Sequence, residues 1–525
     1  MMQSNNDNIE KEFNMKQKIR LFVILCTVIF SLAWSAAGVL AASDGKVLRL
    51  ALTMDPNALE PAMADERNAA IVSWCLYDSL VAIDDDSRVI PALAESWTIN
   101  PEGTVFTFKL RKGVTFHNGE PFNADDVLFT WNRGKRENIK YKDRFNLVKN
   151  VEKLDEYTVR MSTENSSPLL LRFMAEHWAM LPAKLMKKTG EDKFLAAPVG
   201  TGPFKFVKWS KGDRIEFEAN KNYWKKGFPK AEKVIFRPIP ESSTRVAAIQ
   251  AGEVDLVTRL SAEEVAGLKG DANVRVVSYP VDRVYYIAFN NMTSGKGLPT
   301  EDPRVRQAMN YAVDVQSMLD ALFNGKGRPS TGFVTPGNLG FDKAIKPFGY
   351  NPAKAKALLK EAGYPDGFKI GFACPSGAYT NFQQVCEAIQ GYWAEMGIIA
   401  ELQVMESGKY WDLEAKKELP PLFGDSWSET IGEAMSRLQG ALGGNSAAYS
   451  TWWDEKIGAM LDQIKGTVDE EKRAELYITL QHYMQENPPF VYLYEPVTYE
   501  VVSSRVTDYK PRASEQYYLF ETHIK

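Results

Sequence analysis

Residues 94–127 read AESWTINPEGTVFTFKLRKGVTFHNGEPFNADDV, and in this run a turn, a strand and a helix start follow one another. In Pro101-Glu102-Gly103 the proline fixes its own φ and the glycine accepts the positive φ that ends a tight turn. The next six residues, Val105–Leu110, alternate: Phe106, Phe108 and Leu110 share one face and Thr107 and Lys109 the other, which predicts a strand with one buried side. Asn118-Gly119 is a second turn pair. Asn123 then stands where a helix cap belongs, and Asp125 and Asp126 place carboxylates in the first turn, where the helix dipole favours negative charge.

The pattern continues in both directions as alternating strands and helices. Val47–Leu52 predicts a strand and residues 69–80 a helix. PVGTGPFKFVK at 198–208 predicts a rigid Gly-Gly-Pro crossing into a strand. The strand 234–237, the helix 241–252 and the strand entered at 253–257 predict a parallel crossover. Ser261 with Glu264 makes a capping box, and 274–290 is strand-like throughout. Asp302-Pro303 and Asn351-Pro352 both place a capping side chain before a proline at the first helical position, and Gly363 closes the second of these helices. Strands at 368–373 and 398–405 flank a helix at 382–396. A final helix at 469–485 is predicted to bury Leu476, Leu480 and Tyr483 or Met484. There is no repeat, low-complexity tract or Pro-rich linker, so the domains do not follow one another as beads.

The chain's 525 residues exceed one compact core and suggest about three domains. A net charge of −4 offers no basic surface for nucleic acid. Residues 21–42 form the one long apolar run, preceded by Lys16, Lys18 and Arg20 and ending in small residues, which is the layout of a secretory signal cleaved near Ala42 or Ser43. A retained anchor of the same length is the alternative. Cys26 lacks the small residues that precede a lipidated cysteine. Of Cys75, Cys374 and Cys386, the last two can bridge in an oxidising compartment, but the odd count leaves at least one thiol free and spacing does not choose the pair.

The sequence assembles no recognisable catalytic constellation. The four histidines, His117, His177, His482 and His523, are scattered, with no Gly-x-Ser-x-Gly elbow and no metal-ligand spacing. Gly424-Asp425-Ser426 lacks the context of an esterase motif, and there is no phosphate-binding GxxxxGK[ST] loop. No enzyme activity, cofactor or protein-held metal is expected. A secreted hydrolase, needing a histidine beside Ser426 or another nucleophile, and a periplasmic chaperone or structural protein are the competing classes.

The opening block, GTGPFKF, RPIPESSTRVAAIQAGEVDLV, DPRVRQAMNYAVD and NPAKAKALLKEAGYPDGF together resemble, in family order, the family 5 extracellular solute-binding proteins that serve ABC importers of peptides, opines, nickel chelates and some glycosides. The resemblance covers residues 48–494. It implies an α/β fold, the two-lobed type II periplasmic binding protein fold of the large cluster with an extra domain, its hinge-linked lobes surrounding a central cleft. Residues 43–78, 199–292 and 491–525 would form lobe I, 79–198 the extra domain and 293–490 lobe II. The implied role is a periplasmic, monomeric receptor that hands a small organic ligand, with a peptide or modified peptide favoured over an opine, glycoside or nickel chelate, to ABC permease subunits.

Two loops carry the expected contacts. Asp65 and Glu66 follow the first strand in a region that lines the cleft in relatives and are candidates for a ligand amine. The second loop, FGDSWSETIGE at 423–433, matches the place where peptide-binding relatives carry Trp-x-x-Asp, with the aspartate pairing the peptide amine. Here Trp427 fills the tryptophan position and is the expected cleft wall, but Thr430 stands where the aspartate falls. That leaves Asp425 or Glu429 for the amine, beside Ser428, or a ligand with no free amino terminus. The stretch 376–383 holds no basic residue for a peptide carboxylate. Tyr379, Tyr410, Trp411 and Tyr494 are further aromatic candidates.

Overall fold

The structure is a computed structural model that describes residues 46–63, 67–85, 87–447, 449–515 and 517–525. The expected signal at 1–42 and the candidates Asp65 and Glu66 lie outside the described residues. Among those described, no helix is long and apolar enough to cross a membrane.

Three sheets organise the chain. The first has seven strands in the order Val274–Pro280, Val497–Ser503, Leu256–Thr258, Val47–Leu52, Lys233–Pro238, Arg214–Ala219 and Phe204–Ser210. Val47–Leu52 sits at its centre, parallel to Lys233–Pro238 on one side and Leu256–Thr258 on the other. The parallel crossover read from the sequence is therefore present, its helix spanning Ser242–Gln250. Both faces are buried. Leu48, Leu50 and Phe236 pack on one side, and Ala51, Ile249 and Val257 on the other.

The second sheet has five strands, ordered Ile398–Glu406, Phe368–Ser376, Leu422–Ser428, Arg283–Phe289 and Phe490–Tyr492. Its core holds Ile287, Phe372, Ile389, Trp393 and Leu480. The long run 274–290 is thus two strands in two sheets. Val274–Pro280 pairs with Val497–Ser503, whereas Arg283–Phe289 pairs with Leu422–Ser428. The chain passes between sheets at Val281-Asp282 and again at Pro496, and the Val281 N–H donates to the Pro496 carbonyl at 3.2 Å. Alternation in a sequence reports burial on one face and is silent about which sheet supplies the neighbours.

The third, four-stranded sheet contains the opening stretch, in the order Ala94–Ile99, Val105–Leu110, Thr158–Thr163 and Val148–Asp155. Phe106, Phe108 and Leu110 are 0%, 0% and 2% exposed, each contributing about 1.5–3 kcal/mol of apolar burial. Asn123 caps the helix Ala124–Gly134 with a full capping box, its side chain accepting from Asp125 N while Asp126 returns to the Asn123 N–H. His117 ties this unit to the seven-stranded sheet: its Nε2–H donates to the Gly202 carbonyl at 3.0 Å and its Nδ1 accepts from Gly200 N at 3.2 Å. The glycines are required there, because a Cβ on Gly202 would lie 2.4 Å from the Leu76 carbonyl carbon and one on Gly200 2.0 Å from its oxygen.

The last long helix, Glu470–Glu486, begins at Asp469 as expected. Its inner face differs from the expected one. Arg473, Tyr477, Leu480, Gln481 and Met484 are buried, while Leu476 and Tyr483 are only partly covered. Ionic partners bring Arg473 inward: Glu433, itself fully buried, receives both Arg473 Nε and Nη2, at 3.0 and 2.7 Å. A charge pattern alone reads such an arginine as solvated.

Candidate functional site

In α/β sheets, ligands bind beyond the carboxyl ends of parallel strands. In the five-stranded sheet that edge comprises the ends of Phe368–Ser376 and Leu422–Ser428 and the beginning of the antiparallel Arg283–Phe289. Segments of the seven-stranded sheet and the extra unit face it. A cavity of about 300 Å³ lies between them, lined by Asp84, Asp85 and Ser87, by Pro280 to Asp282, by Arg328 and 335–337, by Glu429, Thr430 and Gly432, and by Glu495 and 510–514.

Its charges are largely answered from within. Arg512 pairs Asp85 at 2.5 Å and donates to the Ile83 carbonyl at 3.0 Å. Arg88 pairs Asp84, and Arg328 pairs Glu495. Asp282 accepts from Thr335, from Asn338 and from the fully buried guanidinium of Arg437. Among the described residues Glu429 has no ion pair of this kind. Its oxygens accept the backbone N–H groups of Thr430 at 2.9 Å and of Ile431 and Arg437 at 3.3 Å. Burial pushes its carboxyl up to about 7, partly opposed by the charge of Arg437.

Side chains bridge the two sides of this cavity. Arg172, on the helix Leu170–His177, donates through Nη1 to the carbonyls of Ser87 at 2.7 Å and Ile431 at 2.6 Å, and through Nε it pairs Glu433 at 2.9 Å. Thr430, at the position where relatives carry the aspartate, donates its hydroxyl to Glu176 of the same helix. Leu169, Phe173 and Ile83 are buried in the core of the five-stranded sheet's unit. The extra unit therefore grips the 429–433 loop with apolar and ionic contacts together.

The expected site residues fall into three groups. Glu429 lines the cavity, and Ser428 lies beside it at the strand end, paired with Arg283 and half-buried. Trp427 is half-buried on the opposite face of its strand from Ser428 and Ser426, against Gly440, where a Cβ would meet the indole at 2.2 Å, and edge-on to Tyr449 at 6.5 Å. Asp425 is turned inward, 5% exposed, and accepts from Tyr379 Oη at 2.9 Å and Tyr286 Oη at 3.0 Å. Burial raises its carboxyl and that of neighbouring Glu414, the latter to about 10. Both oxygens of Asp425 are engaged, so this side chain organises the sheet interior and does not reach the cavity. Tyr410 is fully buried and donates to the Gly424 carbonyl at 2.7 Å. Trp411 is half-buried against Tyr410 and Tyr379. Tyr494 is 2% exposed and stacks on Tyr285 at 4.7 Å.

Ser426 has no histidine partner. His117 is engaged by Gly200 and Gly202, His482 by Asp342 and His523 by Asp508, while His177 packs on Tyr141. The Ser426 hydroxyl instead accepts from Arg283. Among the described residues no group of three or more His, Cys, Asp or Glu side chains could hold a metal ion. Cys75, Cys374 and Cys386 are free and buried.

Several residues of this site were not anticipated. Asp282, Arg283 and Tyr285 sit in a run read only as strand, and Arg172, Arg437 and Arg512 gave no signal as single basic letters. The one available clue was the Pro280-Val281-Asp282 interruption, which breaks an otherwise continuous strand pattern.

The model of the family described as bacterial extracellular solute-binding proteins, family 5 middle, matches residues 88–449. The chain is 30% identical over 449 residues to the glutathione-binding protein GsiB of Salmonella choleraesuis, covering 82% of this chain and 86% of that protein. It is 32% identical over 466 residues to heme-binding protein A of Haemophilus influenzae, covering 83% and 84%. The structure of HbpA2 from Haemophilus parasuis superposes with a TM-score of 0.83 at 27% identity, covering 91% of this chain and all of that one. With a family match over residues 88–449 and relatives 30% and 32% identical over 82% and 83% of its length, this chain belongs to the family 5 bacterial extracellular solute-binding proteins, which bind solutes and are not enzymes.

Proposed function

We propose that the chain is the periplasmic receptor of an ABC importer, capturing a peptide or modified peptide between its lobes and delivering it to the permease subunits. The observation that carries the ligand class is a strand edge without a strand partner. Phe368–Ser376 pairs with Leu422–Ser428 only at Phe372↔Leu422 and Ala373↔Phe423, so among the described residues the edge beyond Phe423 that faces away from Arg283–Phe289 meets no neighbouring strand, its Gly424 carbonyl and Ser426 N–H being held by the side chains of Tyr410 and Asp425. Backbone groups on such an edge suit the main chain of an extended peptide, while pockets beside it select side chains. A cavity of about 300 Å³ is at the small end of ligand sites, in keeping with a short peptide, and glutathione, named for one relative, is a tripeptide.

In this reading the lobes meet at Val281-Asp282 and Pro496, and Arg283–Phe289 moves with the second lobe. Trp427 remains a proposed wall, reached from the strand's other face. The amine, if the ligand has one, goes to Glu429, the cavity carboxylate that among the described residues is bonded by backbone N–H groups alone. Thr430, tied to Glu176, favours a second reading in which the solute has no free amine, as in an opine or a blocked peptide.

Thermal-shift screening of di- and tripeptides, N-acetylated peptides, opines, glycosides and nickel–histidine chelates tests the proposal. A ligand that binds only the folded state at 100 times its Kd adds about 2.7 kcal/mol of stability. Stabilisation by peptides is expected; stabilisation by chelates or glycosides alone would replace the peptide assignment.

A further inference from the structure

The cleft edge holds a cation that no carboxylate among the described residues pairs. Arg283 begins the strand Arg283–Phe289 and is half-buried. Its Nη1 donates to Ser426 Oγ at 2.7 Å, and Ser426 is 7% exposed. The neighbouring arginines differ: Arg328, Arg437 and Arg512 each hold a carboxylate. Among the described residues Arg283 has no such partner, and Glu515, the carboxylate approaching from the carboxyl-terminal segment, is paired with Arg259 at 3.7 Å.

What surrounds Arg283 is an aromatic wall with hydroxyls. Tyr285, two residues along on the same face, lies flat on Tyr494 and edge-on to Tyr379 at 5.2 Å. Burial pushes the Tyr285 and Tyr379 phenols up, the Asp425 carboxylate that accepts from Tyr379 adds to that push, and the Arg283 charge and Ser426 oppose it. A guanidinium has five N–H donors in a planar fork and Ser426 engages one nitrogen, leaving donors for a planar anion.

We propose that Arg283, held by Ser426 and walled by Tyr285 and Tyr379, is the carboxylate subsite of the cleft, and that it selects solutes bearing a free carboxylate. The assignment rests on the reading that the adjacent Ser426–Ser428 edge receives the solute. It supplies the basic group missing from 376–383, from a different strand.

The test measures, by calorimetry, binding of trialanine, glutathione and the opine octopine, with trialanine carboxamide as the uncharged control, to the wild-type chain and to Arg283→Gln and Arg283→Lys. Charge-assisted bonds of this kind are worth on the order of 10- to 100-fold in affinity. The wild-type chain is expected to prefer trialanine to its amide by that factor, Arg283→Gln to abolish the preference, and Arg283→Lys to restore part of it. Equal binding of acid and amide by the wild-type chain, which needs no variant to fold, overturns the subsite. So does a preference that survives Arg283→Gln. If octopine alone binds, and depends on Arg283, the peptide reading falls and the subsite stands. If none of these carboxylates binds, the subsite is overturned.

Discussion

Arg172 is the side chain through which the extra unit holds the 429–433 loop, and Arg172→Met removes its charge while keeping most of its stem. The arginine is 4% exposed, and its Nη1 bonds to the Ser87 and Ile431 carbonyls, at 2.7 and 2.6 Å, are bonds from a charged donor, worth about 1.5–3 kcal/mol each. Its third bond, to Glu433, is partly redundant because Arg473 and Tyr477 also hold that carboxylate. The contact to Glu470 is long, at 3.5 Å, and Glu470 is 59% exposed, so it adds little. The Ser87 bond lies within the extra unit, so the net effect across the cleft is about 2 kcal/mol, from the Ile431 bond and the partly redundant Glu433 pair. Because those two bonds exist only while the two sides of the cleft touch, that loss falls on closure and leaves each lobe's own core intact. A 2 kcal/mol shift is roughly 30-fold in the closing equilibrium. Small-angle scattering should show the unliganded variant with a larger radius of gyration, and calorimetry should show solute affinity weakened by up to that factor. A variant as compact as the wild type with unchanged affinity, or one that simply unfolds, refutes the assignment of Arg172 to closure.

Gly202→Ala should destabilise strongly, by several kcal/mol in chemical denaturation, since a Cβ would stand 2.4 Å from the Leu76 carbonyl carbon, a backbone overlap with no flexible group to yield; a loss under 1 kcal/mol would contradict it. His117 is held neutral, its imidazole pushed down from 6.5 to about 4 by burial. The unfolded state therefore binds the extra proton first, and stability contributed by His117 is lost as pH falls from about 6.5 toward 4, on the order of 3 kcal/mol at the limit. Relative to His117→Gln, the wild-type melting temperature should fall across that window, and parallel pH profiles would sink the idea. Trp427→Ala should weaken solute binding at least tenfold if the indole is a wall, and Gly440→Ala, which drives a Cβ to 2.2 Å from the ring, should weaken it too. Unchanged affinity in a folded Trp427→Ala protein returns the residue to packing.

Local signals carried the elements faithfully. The caps at Asn123, Ser261, Asp302 and Asn351 all start helices, with side chains accepting backbone N–H bonds, and Gly363 takes a φ of +92° just past the helix end. Such devices act within four residues and so are legible in one dimension. The site was less legible because its chemistry is made by partners far apart in the chain. Asp425 looked exposed by type, yet two tyrosines from other segments hold it inside. Glu433 and Arg473, forty residues apart, meet as a buried ion pair that no local pattern announces. Arg283 was hidden in an alternating run, where its position at the crossing between sheets, and not its letter, gives it a role.

The most direct test of solute capture in the cleft is native mass spectrometry of the full chain, purified from its host without denaturation. The account predicts a discrete small-molecule adduct that is released on denaturation and rebinds when returned, and that Arg172→Met retains poorly. A bare mass at every collision energy, from protein that also ignores the whole solute panel, would contradict it.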